Sequence, residues 1–135
     1  MRILETSEPM IARSFSFGWY KRVYVGTEFH KLDALRQAAV LAHEQGHLEG
    51  HHSELRMLCF LFAPFFFFRL CRHQEYQADL YAMKKGYARQ LFDLLKSDFD
   101  GGLLQPAHIE RRLAIRQYEH QSRFVPVKDH SPGSA

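Results

Sequence analysis

Leu32-Asp33-Ala34-Leu35-Arg36-Gln37-Ala38-Ala39-Val40-Leu41-Ala42-His43-Glu44-Gln45-Gly46-His47 reads as the start and body of one amphipathic helix. Leading up to His43, the stretch is built from strong helix formers and contains neither Gly nor Pro. Asp33 stands where an N-cap is needed. Leu32, Leu35, Ala39 and Ala42 recur at helical spacing and give the segment an apolar stripe. On such a helix, positions i and i+4 lie on the same face, one turn apart. His43 and His47 are therefore presented side by side, where two imidazoles can meet one ion. Gly46 between them is a poor helix residue, as expected where a side chain would crowd an ion or a packed neighbour.

The spacing His43-Glu44-x-x-His47 is that of zinc hydrolases, in which the glutamate serves as general base. A competing reading is a solvated, histidine-rich helix face, since His51 and His52 follow closely. The helical context of the motif favours the metal. Catalytic zinc takes three protein ligands and keeps one position open, so a third donor must come from elsewhere. Glu75-Tyr76-Gln77-Ala78-Asp79 offers one: Glu75 as ligand, with Asp79 a turn later, able to accept the free ring N–H of a ligand histidine. His73 is the rival, but it would face away if Glu75 faces in.

Around these motifs the chain reads as a single α+β domain, mainly α-helical with a small N-terminal β-hairpin, over residues 1–123. A flexible tail follows over 124–135. Ser14-Phe15-Ser16-Phe17 and Arg22-Val23-Tyr24-Val25 alternate as strands do, with a turn between Gly18 and Lys21. Residues 1–12 read as a lead-in. The motif helix spans about 33–50, and a second helix starts after His52-Ser53. Pro64 kinks or divides the apolar run Met57–Phe68. A third helix covers about 72–85 and stops at Gly86, and a short one follows over 87–96. Asp98–Gly102 forms a loop, and Pro106 opens the last helix.

With 46% hydrophobic residues and 12 Phe, the chain can bury a real core. The net charge of +3 is small and the charges are interspersed, which argues against nucleic acid as a partner. Cys59 and Cys71 lie in or beside the apolar run and lack C-x-x-C spacing. They read as buried thiols of a reducing compartment, with a disulfide as the alternative. The N-terminus lacks the apolar core of a signal peptide, and a cytoplasmic location is expected. Met57–Phe68 is too short to span a bilayer, which needs about 20 apolar residues. Its plain reading is a core helix behind the metal helices. The sharper reading is a membrane-docking or substrate-binding surface, making the protein membrane-peripheral or driving a homodimer.

His43-Glu44-x-x-His47 followed by Glu75-x-x-Ala78-Asp79 resembles the gluzincin peptidases, in particular the branch holding the CAAX prenyl endopeptidase and the bacterial heat-shock membrane protease HtpX. Phe15-Ser16-Phe17-Gly18 and Val23-Tyr24-Val25-Gly26 resemble the hairpin before the motif helix. Ala82 and Gly86-Tyr87 follow the second motif as they do there, and Pro106–Leu113 resembles the C-terminal Pro-x-x-x-x-Arg element. Over residues 13–115 the likeness is to a bare catalytic core, as in the single-domain minigluzincins. Arg13-Ser14 stand where the family usually has Asn-Ala, and Gln105 stands where a His often precedes the proline.

The resemblance implies a Zn2+ endopeptidase acting on a peptide or protein, with His43, His47 and Glu75 as ligands and Glu44 as base. The second donor for the developing oxyanion stays open among His108, Arg111, Arg112 and Tyr76. The strand Arg22, Val23, Tyr24, Val25 and Gly26 is expected to form the substrate rim, taking an extended peptide along its edge. Two other readings remain. One is a catalytically silent or latent zinc-binding interaction module. The other is a regulatory peptidase cutting a single repressor-type protein, a class whose second motif usually carries Asn where Asp79 stands.

Overall fold

The computed structural model describes residues 1–95 and 105–124. The fold is α+β and mainly helical, with a small sheet at the N-terminus, as the sequence leads one to expect. Its strands are β1 (Arg2–Glu5), β2 (Ala12–Phe17) and β3 (Tyr20–Val25). Its helices are α1 (Ala34–Glu49), α2 (His52–Phe62), α3 (Phe67–Lys84), α4 (Ala88–Leu94) and α5 (His108–Phe124). The expected loop at 98–102 and the tail beyond residue 124 lie outside the described residues.

The hairpin forms with a tighter turn than expected. Only Gly18 and Trp19 lie between the strands, and Gly18 adopts φ +57°, which a glycine accepts without cost. Residues 1–12 are more than a lead-in. Arg2–Glu5 is a strand that pairs in parallel with β3, so the sheet order is β1-β3-β2. With only four residues and weak alternation, β1 carries little signal of its own, and its pairing depends on the β3 edge already being in place.

The arrangement of α1 against α3 builds the interior. Asp33 caps α1 as expected, its carboxylate accepting from the Arg36 amide at 2.9 Å. Small residues line the seam: Ala39, Ala42, Ala78 and Ala82 are buried there. A Cβ on Gly46 would come within 2.9 Å of both the Ala78 Cα and the Tyr81 Cβ. The glycine is thus required by the packed neighbour, and its absence of side chain lets the two helices approach. Val23 and Val25 of β3 pack with Phe29, Val40 and Leu48 into a second cluster below the sheet. At the far end of α3, Tyr87 N–H bonds to Ala82 O and Gly86 N–H to Met83 O, with Gly86 at φ +96°. That is a Schellman stop, and it ends the helix where the sequence indicates.

The Phe-rich run departs from expectation. Pro64 does divide it, starting a short 3-10 turn (Pro64–Phe66) between α2 and α3. α3 then begins at Phe67, earlier than the sequence suggests. The core-helix reading of this run is wrong. Phe60, Leu61, Phe62 and Phe65 are 63%, 64%, 82% and 91% exposed, and Met57, Leu58, Phe66 and Phe68 are exposed as well. The seam between α1 and α3 is already filled by small side chains, and no layer covers the outer face of α2 among the described residues. Cys71 is buried, Cys59 is partly so, and both are free thiols. Among the described residues no helix is long and apolar enough to cross a membrane.

Candidate metal centre

α1 and α3 bring three donors to one point. His43 Nε2 lies 3.2 Å from His47 Nε2. Each of these nitrogens lies 3.3 Å from a different oxygen of Glu75. His43, His47 and Glu75 could together hold a metal ion. All three side chains are largely removed from solvent, and they lie at the floor of a cleft of about 720 Å³ that Glu44 also lines. Helix periodicity explains the convergence. His43 and His47 share one face of α1, Glu75 and Asp79 share one face of α3, and Gly46 sets the helix separation. His73, the alternative ligand, is exposed.

Asp79 is where the second motif requires it. Its Oδ1 accepts from His43 Nδ1 at 2.9 Å, which leaves the His43 Nε2 lone pair directed toward His47 and Glu75. Asp79 is 2% exposed, and Arg111 clamps it from the other side, with Nε to Oδ2 at 2.8 Å and Nη2 to Oδ1 at 2.7 Å. Arg111 lies in the first turn of α5, so the pair also fastens that helix to α3.

Burial works against every charge in this cluster, and the pairings outweigh it. Burial alone would hold His43 neutral, but its hydrogen bonds to Asp79 and Glu75 push it up to about 10. Burial would raise Glu75, but both histidines hold its carboxyl well below the usual carboxylate range. Asp79 is likewise lowered, against burial, by Arg111 and His43. In the absence of metal, a proton on His43 therefore answers the two carboxylates. Metal and proton compete for the same nitrogen.

The linkage signs fix a stability window. Glu75 and Asp79, depressed in the fold, stabilise it fully above their unfolded pKa values near 4, and this is lost as pH falls. His43, elevated in the fold, stabilises it fully below its unfolded value near 6.5, and this is lost as pH rises toward about 10. His52, lowered in the fold to about 4, contributes fully above its unfolded value near 6.5 and loses this as pH falls toward about 4. Chelator-treated protein is therefore expected to show its highest urea midpoint near about pH 6.5, with lower midpoints at about pH 4 and at about pH 8.5. A midpoint that climbs from about pH 6.5 to about pH 8.5 would contradict the His43 assignment.

The remaining predicted residues divide. His108 and Arg111 line the cleft; Arg112 and Tyr76 do not, and Tyr76 borders a separate pocket on the far side of α3. The cleft therefore lends those two no support as oxyanion donors. The substrate-rim expectation for Arg22–Gly26 is also wrong. β3 is the middle strand, paired on both sides, so it has no edge to offer. Val23 and Val25 are core residues, Gly26 is buried against Met10, Arg22 stacks over Tyr20, and the Tyr24 and Tyr20 hydroxyls meet.

The strand beside the cleft is β2, whose Ala12–Phe15 segment lines it. Backbone groups alternate sides along a strand. Gly26 N–H bonds Ile11 O on the β3 side, and Ser16 N–H bonds Ser53 Oγ on the other. By that alternation the Ala12 and Ser14 backbone groups point to the unpaired edge. Ser16 Oγ also donates to Glu54 Oε2 at 2.6 Å, and Gly18 N–H donates to Glu54 Oε1 at 3.1 Å. These bonds fix β2 to the start of α2.

No family model matches this chain, and no curated protein or solved structure resembles it significantly. The site consequently rests on its own geometry.

Three further polar groups at the site, two of them buried, carry no signal in the pattern of the sequence. His52 is 3% exposed, and burial first, then the neighbouring His47, lower its pKa to about 4. Gln74 is fully buried, donating to His52 O and accepting from Arg56 Nε at 2.6 Å. Arg56 also reaches Glu75 Oε1 at 3.6 Å. One available sign was that Gln74 directly precedes Glu75, which places an amide at the α2–α3 seam if Glu75 faces α1.

Proposed function

We propose that this protein is a zinc-dependent endopeptidase. The observation that carries the reading is the His43–His47–Glu75 triangle beside Glu44 in one cleft. Donors bonded at about 2.0–2.1 Å to a tetrahedral zinc lie about 3.3 Å from one another. The two imidazole nitrogens are 3.2 Å apart, each has one of the two Glu75 oxygens at 3.3 Å, and one ligand atom from each of the three residues lies within 4.8 Å of the others, so the donor set suits that ion in type and is close to it in size. The gluzincin resemblance of the two motifs supports the same reading.

A bound zinc would supply Lewis acidity toward a scissile carbonyl and make water easier to deprotonate. The chain's own groups do the rest. Glu44 takes the proton of the attacking water and passes it to the leaving amine. Asp79 holds His43 in the tautomer that offers Nε2. An extended peptide pairs with the β2 edge through the Ala12 and Ser14 backbone groups, which makes binding backbone-driven and only loosely sequence-selective. His108 and Arg111, which also line the cleft, are the remaining donors for the developing oxyanion.

Zinc analysis followed by digestion of casein or a peptide library, with and without chelator, tests this. About one zinc per chain and chelator-sensitive cleavage are expected. Zinc without cleavage would favour the interaction module, and no zinc would end the proposal. The exposed Phe60–Phe68 face supports a membrane-peripheral location. Liposome pelleting is expected to bring the protein down, and Phe62→Ser/Phe65→Ser to reduce it. A parent that stays in the supernatant would leave that face to another role.

A further inference from the structure

His43 receives its orientation from Asp79. His47 has no carboxylate on its outer nitrogen. Its Nδ1 instead lies 2.7 Å from His52 Nδ1, and the two rings stand edge to face with centroids 4.9 Å apart. We infer that His52 is the positioning residue of His47: its Nδ1 accepts the His47 Nδ1–H and fixes the tautomer that presents His47 Nε2 to the metal. The inference rests on the metal reading proposed above and extends it to a residue outside both sequence motifs.

The chain around His52 is shaped to put the ring there. α1 ends at Glu49, and α2 begins at His52 itself. His51 between them adopts φ +51°, a left-handed conformation that a non-glycine residue accepts only under constraint. That turn folds the His52 ring back over the end of α1. Gly50 lies beneath it: a Cβ there would come 2.3 Å from His52 Nε2 and 2.6 Å from Cδ2. Gly50 has an ordinary right-handed helical conformation, φ −79° and ψ −1°. Its lack of a side chain is therefore demanded by the imidazole and not by the backbone. The His52 carbonyl accepts from the fully buried Gln74 amide at 3.3 Å, and the ring meets His47 Nδ1 at 2.7 Å. Backbone and ring are both held.

The chemistry explains why an imidazole serves here. To bind a metal through Nε2, His47 must carry its proton on Nδ1. A neutral acceptor at 2.7 Å satisfies that N–H without adding another anion to a site where Glu44 and Glu75 line the cleft and Asp79 stands behind His43. His52 accepts through Nδ1 and keeps its own proton on Nε2. The two ligand histidines are thus oriented by unlike partners, one anionic and one neutral.

Three variants of the full chain test this, with Zn2+ affinity read by chelator competition. His52→Phe keeps the ring volume and removes the acceptor; it is expected to weaken Zn2+ binding about 10–100-fold. His52→Asn places an amide oxygen near the position of Nδ1 and is expected to restore affinity to within about fivefold of the parent, within the range that loss of an outer partner would exceed. Gly50→Ala leaves the backbone unstrained but displaces the ring, and should resemble His52→Phe. Parent-like Zn2+ binding by His52→Phe would overturn the proposal, as would equal losses in the Phe and Asn variants. A parent that takes up no Zn2+ would remove the metal reading and this proposal with it. Should His52→Phe fail to fold, nitrogen-15 NMR of the Zn2+-loaded parent decides. His52 protonated on Nε2 with a bare Nδ1 is expected, and a proton on His52 Nδ1 would overturn the assignment.

Discussion

Glu44→Gln is expected to lower peptide hydrolysis by on the order of 10²–10⁴-fold while zinc content stays at the parent level. Glu44 follows the first histidine on α1 and lines the same cleft, yet it is not one of the three converging donors. Its side chain is 9% exposed, so it is accessible from the cleft and shielded elsewhere. Glutamine preserves its length and planar head but cannot take a proton from water. The two measurements separate its roles: metal analysis reports whether the donor triangle survives, and the rate reports the base. A Glu44→Gln protein cutting peptides at the parent rate would remove Glu44 from the chemistry. Loss of zinc along with activity would show instead that Glu44 supports the site structurally.

Local periodicity carried a large share of the site. His43, Glu44 and His47 follow from helix geometry within one turn, and Glu75 and Asp79 from one further turn on a second helix. The distance between those helices is set by Gly46, a residue whose oddity inside α1 was visible in the sequence even though its contact with Ala78 and Tyr81 was not. The errors all concern partners distant in sequence. Alternation identified β3 but not its place between β1 and β2, so the free edge was assigned to the wrong strand. Apolarity identified the Met57–Phe68 run but could not distinguish a covered face from an open one. His52 looked like a surplus histidine because its role depends on a left-handed residue and a glycine that fold it back onto α1. Arg111 and Arg112 were equivalent by composition, and only the phase of α5 separates them.

That phase leads to the largest expected effect on stability. Arg111→Met should destabilise the metal-free fold by about 3–5 kcal/mol, the range found when one partner of a buried ion pair is removed. Asp79 is 2% exposed and Arg111 7% exposed, so water cannot replace the lost guanidinium without opening the α3–α5 seam. Methionine matches the apolar stem of arginine, and the loss therefore reports the charge and its two hydrogen bonds more than packing. His43 remains on Asp79 at 2.9 Å but satisfies only Oδ1, leaving Oδ2 buried and without a donor. Arg111→Lys should recover little, because one ammonium cannot reproduce the paired Nε and Nη2 bonds. Urea unfolding in the presence of chelator measures both variants. With a total stability of about 5–15 kcal/mol for a domain of this kind, the Met variant would lose much of its margin. A loss below about 1 kcal/mol would mean that Asp79 is rescued by solvent, as an exposed pair would be. The clamp would then be incidental to how α5 is held. A large loss that Lys repairs fully would make charge alone sufficient and the bidentate geometry irrelevant.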